Sequence, residues 1–306
     1  MTVREALDSG AIALREAGID SAAADAEWLL ADALSVSRNA LRVEARRPLA
    51  PSDAARFAVA LRRRTAREPL QHIVGTQSFR HVTVRVSADA LVPRPETELL
   101  AGWALELLPR GAGTPVVIDV GTGTGCVACA IASERPDTDV IALEASPAAA
   151  ALAHENVAAL RLPRVTVLVS DLFGALPAMQ ADVIVSNPPY LPTKLIPTLA
   201  PEVSQYDPRL ALDGGPDGLE VIRRIVGAAP QRLLPGGALV LETAGGEQAR
   251  AVVALMQAAG FERVETRRDL AGVERFVMGR LGPEPPARGA PELCEGAPPA
   301  NAKGLG

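Results

Sequence analysis

The stretch VVIDVGTGTGC, residues 116–126, is a β-branched apolar run that carries an acid near its end and passes straight into alternating glycines. The run reads as a buried strand, and the glycines as a tight turn that permits positive φ and a close approach of backbone to ligand. The helical pattern beginning at about Thr124 aims free N–H groups, at the positive end of a helix, into the same space. Gly121, Thr122, Gly123, Thr124 and Gly125 are therefore the candidate cradle of a cofactor, with Asp119 as a carboxylate facing a cationic or hydroxyl-bearing part of it. The dinucleotide fingerprint G-x-G-x-x-G/A does not fit, because its third small position falls on Cys126 and the glycines recur here at every second residue. That spacing disfavours a nicotinamide oxidoreductase.

Downstream, strand and helix signals alternate. Strands are predicted over 140–144, 165–169, 183–186 and 238–242, helices after Ser146-Pro147 and over 219–229 and 248–259, and two strands close the series. Ser146 supplies a side-chain acceptor for free N–H groups and Pro147 the fixed φ of a first helical position. Pro235-Gly236-Gly237 is expected as a turn ahead of the strand at 238–242. Such alternation implies an α/β fold, a mostly parallel sheet with helices on both faces. Acids at the ends of the next two strands extend the candidate site: Glu144 to hold ribose hydroxyls, then Asp171 and Leu172 beside an adenine. The positive amino group and sulfonium of S-adenosyl-L-methionine make it the candidate cofactor opposite Asp119.

Upstream, the signals are helical. Thr2 and Glu5 fit a capping box with Leu7, Ala11 and Leu14 on one face; Ser21 is expected to cap a helix carrying Trp28, Leu29 and Leu30; Pro51-Ser52 opens another through Phe57, Val59 and Leu61. Residues 1–70 are thus a small N-terminal helical domain, and 71–92 a β-hairpin linker with strands at HIVG (72–75) and VTVRV (82–86). Residues 93–280 hold the α/β domain, and 281–306, dominated by Pro, Gly and Ala, are a disordered tail with too little apolar surface to offset ordering.

A net charge of -5 and a pI near 5.4 do not suit a protein that coats nucleic acid, so no stable nucleic-acid binding is expected. Residues 38–85 nevertheless hold eleven arginines against three acids. With Lys194 and Lys303 the only lysines, that excess reads first as a solvated face in an arginine-biased composition, and second as a docking face for an acidic or RNA-associated partner. Cys126, Cys129 and Cys294 are an odd set in a chain without a signal-like start, which points to a reducing cytoplasm. Residues 115–132, the most apolar stretch, contain Asp119 and three glycines, so no membrane span is expected. Cys126 and Cys129 lack the second ligand pair a zinc site needs and read as helix packing; no metal is expected. His72, His81 and His154 are scattered and read as structural or surface residues.

The strand at 183–186 ends in SNPPY, residues 186–190. Two consecutive prolines can neither extend a sheet nor enter a helix interior, so Asn187, Pro188, Pro189 and Tyr190 form a rigid corner rich in acceptors. With the Asp119 glycine turn, Glu144 and Asp171, this corner resembles the class I S-adenosylmethionine-dependent methyltransferases that modify a planar nitrogen. Three further blocks, REPLQHIVGTQSF (67–79), LVPRPETELL (91–100) and YDPRLALDGGPDGLEVIRRI (206–225), narrow the resemblance to the HemK-like release-factor glutamine methyltransferases. It covers roughly residues 1–280.

The resemblance implies a Rossmann-like methyltransferase fold and transfer of a methyl group to the amide N5 of glutamine in the Gly-Gly-Gln motif of peptide chain release factors. An amide nitrogen is a poor nucleophile, so catalysis has to come from placement and polarisation. The Asn187 side-chain oxygen and the Pro188 carbonyl would each accept one N–H of the substrate amide, and Tyr190 would pack on its plane. Asn187 also borders the cofactor, and Pro93 to Thr97 would help close the site. The family commonly carries aspartate where Glu144 stands; the extra methylene still reaches a ribose. A monomer is expected. The competing readings are glutamine methylation of a ribosomal protein, adenine N6 methylation of nucleic acid, for which no target-recognition domain is evident, and a non-catalytic cofactor-binding protein, for which the corner has no use.

Overall fold

The computed structural model describes residues 1–111, 113–176 and 178–282, so the tail expected over 281–306 lies outside the described residues from 283 onward. Nine strands are present among the described residues: β1 (Thr76–Phe79), β2 (Val82–Arg85), β3 (Val116–Val120), β4 (Asp139–Glu144), β5 (Val165–Val169), β6 (Ala181–Ser186), β7 (Leu233–Glu242), β8 (Phe261–Arg268) and β9 (Glu274–Leu281). β1 and β2 form a separate antiparallel hairpin, and the other seven form one sheet in the order β5-β4-β3-β6-β7-β9-β8. The first five of these run parallel, and β9 and β8 add an antiparallel edge. This is the α/β architecture expected, a mostly parallel sheet with helices on both faces, preceded by helices.

Burial on both faces explains why β3 is apolar without polar alternation. Val117 points into one core with the helices Pro95–Leu107, Cys126–Glu134 and Pro147–Ala159, while Ile118 and Val120 point into the other with Glu220–Ala228 and Gly246–Ala258. Cys126 and Cys129 are free thiols packed in the first of these cores, as their spacing on a helix suggested. Burial pushes the Cys129 thiol up to about 12 and Cys126 higher still, so both are inert near neutrality.

The N-terminal helices build their own core around Leu14, Leu29, Leu30, Leu41 and Phe57. The capping box forms as expected: Thr2 Oγ1 accepts the Glu5 N–H at 3.3 Å, and Glu5 Oε2 accepts the Thr2 N–H at 2.8 Å. Ser146 also caps its helix, accepting the Ala149 N–H. Three local expectations fail. Ser21 caps nothing: at φ -85 and ψ 20 it lacks the extended backbone of a capping residue, and its hydroxyl donates to Asp25 Oδ1 at 2.8 Å. HIVG is not a strand: residues Leu70–Val74 form a short helix, begun after Pro69 and stopped by Gly75 at φ +80, and the hairpin starts only at Thr76. Pro235-Gly236-Gly237 lies within β7, where the register against β6 shifts between Ala181 and Val183 and Gly236 at φ +77 takes up the irregularity.

The arginine excess over residues 38–85 is mostly consumed internally. Arg38, Arg47, Arg56, Arg63, Arg64, Arg67, Arg80 and Arg85, eight of the eleven, make ion pairs. Two of them join the helical part to the α/β part. Arg64, buried, bonds Asp25 Oδ2 at 2.7 Å and Glu202 Oε1 at 2.9 Å, and Arg67 bonds Glu202 Oε2 at 2.7 Å. The Tyr206 hydroxyl donates to the Ala66 carbonyl beside them at 3.0 Å.

Candidate active site

β3 and β6 are hydrogen-bonded neighbours, with Asp119 opposite Val185, yet the chain leaves β3 toward β4 on one side and β6 toward β7 on the other. At such a switch point the loops part and leave a crevice at the carboxyl ends of the strands. Here β3 delivers the glycine turn and β6 the Asn-Pro-Pro-Tyr corner. The Ser186 hydroxyl ties the two strand ends by donating to the Val120 carbonyl at 2.6 Å.

The crevice is lined by Asp119, Gly121, Thr122, Gly123, Thr124, Glu144, Asp171, Leu172, Asn187, Pro188 and Pro189. Gly125 and Tyr190 do not line it. Gly125 stands behind the turn at φ +79, where it precedes the helix Cys126–Glu134 and packs on Ala153. Gly121 and Gly123 adopt φ +72 and +56, and a Cβ built on either would meet nothing within 4 Å. The turn is thus a bare backbone wall facing open space.

Glu144 braces this wall. Its Oε2 accepts the Gly123 N–H and its Oε1 the Ser146 N–H, both at 2.9 Å, so one carboxylate spans the turn and the next helix start. Asn156, which sequence reasoning missed, braces it from behind: Nδ2 donates to the Thr124 and Arg85 carbonyls, and Oδ1 accepts the Arg85 N–H at 2.7 Å. Its position in the last turns of an alanine-rich helix was a weak signal, since a buried carboxamide has to be satisfied by several partners.

Asp119 is 2% exposed and accepts the Thr122 hydroxyl at 2.6 Å. Burial, opposed by that hydrogen bond, pushes its carboxyl up to about 7. Thr124 Oγ1 is buried, with no hydrogen-bond partner other than the nearby Cys126 thiol. Asp171 reaches outward at the rim and pairs with Arg224 at 2.7 Å, a partner absent from the expected adenine contact.

A second groove adjoins the first. Leu91, Arg94, Asn187, Pro188 and Ala211 line both, and Tyr190, Glu242, Arg275, Leu199 and Val203 line only the second. At the junction the Asn187 Nδ2 donates to Thr97 Oγ1 at 3.0 Å, the Thr97 hydroxyl donates to Glu242 Oε2 at 2.8 Å, and the Tyr190 hydroxyl approaches Glu242 Oε1 at 3.3 Å. Burial pushes the Glu242 carboxyl up to about 7 and the Tyr190 phenol above its ordinary range. Thr97 belongs to the PRPET block, and Glu242 ends a predicted strand. The rule that flagged Glu144, an acid at a strand's carboxyl end, would have flagged Glu242 as well.

The remaining blocks wall the junction. Arg94 of PRPET pairs with Asp207 at 2.6 Å, bringing two distant motifs together. Gly214 and Gly218 lie backbone-to-backbone on the corner: a Cβ on Gly214 would sit 2.7 Å from the Pro189 carbonyl, and one on Gly218, at φ +75, would overlap the Tyr190 carbonyl. Gln248 Nε2 donates to the same Tyr190 carbonyl at 2.9 Å. Among the described residues no helix is long and apolar enough to cross a membrane, and no His/Cys/Asp/Glu cluster could hold a metal.

Residues 5–75 match the family described as PrmC N-terminal domain, and residues 103–198 the methyltransferase small domain. The catalytic domain of hMettl16, solved in complex with a 3′UTR hairpin, superposes with a TM-score of 0.54 at 17% identity over 77% of this chain and 84% of that one, a likeness of fold. The release factor glutamine methyltransferase of Geobacter sulfurreducens is 43% identical over 92% of this chain and 97% of its own length. That of Cereibacter sphaeroides is 45% identical over 92% and 99%. With a methyltransferase crevice at the switch point and relatives this similar from end to end, the chain belongs to the release factor glutamine methyltransferase family.

Proposed function

We propose that this chain transfers a methyl group from S-adenosylmethionine to the amide N5 of the glutamine in the Gly-Gly-Gln motif of a peptide chain release factor. The observation that carries the reading is the meeting of two grooves at Asn187 and Pro188, one walled by the glycine turn and the other by Tyr190 and Glu242. A donor in the first and an amide in the second would face each other across one corner.

Three features of the crevice fit the donor. The backbone wall at Gly121 and Gly123 has the space that a side chain would fill. Thr124 Oγ1 is a buried polar atom with no stronger partner than the Cys126 thiol, and Asp119 is a buried carboxylate whose raised pKa a neighbouring cation would relieve. In this reading Asp119 takes the amino group, Glu144 the ribose and the segment around Asp171 and Leu172 the adenine. When bound, S-adenosylmethionine supplies an electrophilic methyl on a positive sulfur, which passes to the amide nitrogen and leaves S-adenosylhomocysteine and a proton.

The chain's own residues supply orientation. Asn187 Oδ1 and the Pro188 carbonyl accept the two N–H groups of the substrate amide, turning its nitrogen toward the first groove and stabilising the positive charge that develops there. The prolines keep those acceptors from relaxing away, and Tyr190 flanks the amide plane. No general base is required of the side chains, because the methylated nitrogen is far more acidic than the starting amide.

The deciding experiment is transfer of labelled methyl to a purified release factor, compared with the same factor carrying a replaced target glutamine. Label that depends on that glutamine is the expected result. Donor binding without label on the factor would refute the substrate assignment.

The ionisation of Asp119 makes a second prediction. With its carboxyl near pH 7 in the free protein, a bound cation favours the ionised form, so donor affinity is expected to be full above that pH. Below it, affinity should fall toward about tenfold per pH unit, because each binding event must release a proton. Titration calorimetry between about pH 5.5 and 8 tests this. A flat dissociation constant, or one whose slope survives in Asp119→Asn, would contradict it.

A further inference from the structure

At the junction of the two grooves, four side chains from three segments form one hydrogen-bonded chain: Tyr190 to Glu242, Thr97 to Glu242, and Asn187 to Thr97. A threonine hydroxyl carries a single proton. While Glu242 is ionised, Thr97 donates that hydrogen to its carboxylate, so the Thr97 oxygen can only accept, and only the NH2 end of the Asn187 carboxamide can satisfy it. The other end, Oδ1, is then turned toward the space the grooves share. Without an acid behind it, the Thr97 hydroxyl could as readily donate to Oδ1, and Asn187 would present its NH2. Facing a substrate NH2, that would set donor against donor.

We infer that Glu242 and Thr97 are positioning residues that fix the flip of the Asn187 carboxamide, so that its oxygen meets the nitrogen to be methylated. The inference rests on the amide-methylation reading above. A stabilising role explains Glu242 poorly. The residue is 1% exposed, and burying an acid costs free energy unless it is fully paired. Arg275 on β9 is the cation near it, Glu96 on the helix Pro95–Leu107 opposes it, and Arg275 is itself hydrogen-bonded to Asp269. A hydrophobic residue would build the same core more cheaply, whereas two acceptor oxygens, one for each hydroxyl, are what an orienting relay requires.

Thr97→Val keeps the shape and deletes the hydroxyl. Its kcat for methyl transfer to release factor is expected to fall about 10- to 100-fold, with KM for donor and for release factor changed less than about threefold. Thr97→Ser restores the hydroxyl and should recover kcat to within about threefold of wild type. Because Glu242 reaches Asn187 through Thr97, the double variant Thr97→Val/Glu242→Gln should be no slower than Thr97→Val alone when both also carry Tyr190→Phe, which removes the other hydroxyl that Glu242 accepts. A Thr97→Val enzyme with wild-type kcat, a Thr97→Ser enzyme as slow as Thr97→Val, or effects that multiply would each overturn the assignment.

A readout without substrate separates this inference from its parent. The Asn187 side-chain amide protons, identified in isotope-labelled protein by their loss in Asn187→Asp, should exchange slowly in wild type and Thr97→Ser and fast in Thr97→Val. If wild type binds donor but never labels release factor, the parent reading fails, and the exchange data still decide whether Thr97 holds the amide. Equal exchange in all three proteins would sink the relay even in an active enzyme.

Discussion

Asn187→Ala is expected to lower kcat for methyl transfer by about 10²–10³-fold, the scale seen when one preorganised group opposite a developing charge is removed. Donor affinity should change little, because the glycine turn, Glu144 and Asp119 form the rest of the crevice independently of the corner. Single-turnover transfer at saturating donor and release factor measures the chemical step directly. A loss confined to KM would mean that Asn187 contributes only uniform binding and not orientation. Replacement by aspartate is the sharper companion: it retains an oxygen but loses the NH2 that Thr97 accepts, and should be nearly as slow.

Gly218→Ala is expected to damage the corner without touching any group that meets substrate. The residue sits at φ +75, and its new Cβ would overlap the Tyr190 carbonyl while standing 2.8 Å from Gln248 Nε2. Left-handed strain and overpacking against backbone together should cost about 3 kcal/mol or more. Gly260→Ala is the control. It shares the positive φ, at +87, but its Cβ would meet open space, so it should cost only about 1–2 kcal/mol. Thermal melting of the two variants measures the difference, and equal shifts in Tm would show that the Gly218 contact is not tight. Activity in Gly218→Ala should fall further than in an equally destabilised control, since the obstructed atom belongs to the Asn-Pro-Pro-Tyr segment itself.

Local grammar carried most of the fold. A strand that runs into glycines, an N-cap serine followed by proline, and a capping box are each fixed by a few adjacent residues, and each formed. The failures arose where other contacts outbid the expected local pattern. Asp25 diverted the hydroxyl of Ser21, and pairing on both sides of residues 235–237 kept a turn-like triplet inside β7. HIVG failed for another reason, since four apolar-leaning residues carry no period long enough to separate strand from helix.

In the site, the residues that line the crevice were legible because they cluster in short motifs. The residues that orient them were not, because Thr97 and Glu242 lie 145 positions apart and meet only once the helix Pro95–Leu107 packs on β7. The arginine-rich stretch was legible as charge but not as geometry. No local rule foretells that Arg64 and Arg67 would turn inward to a glutamate 135 or more positions away.

That inward turn has a mechanical consequence. Both oxygens of Glu202 are committed to the helical part, while Val203, one residue on, lines the groove proposed for the substrate. The groove's outer wall is therefore tethered to a part of the chain that forms none of the reaction corner. If the helical part shifts, it must either break two charge-assisted bonds or carry the wall with it. Any coupling between a partner on the helices and the shape of the groove runs through this tether, and by reciprocity it has the same size in both directions.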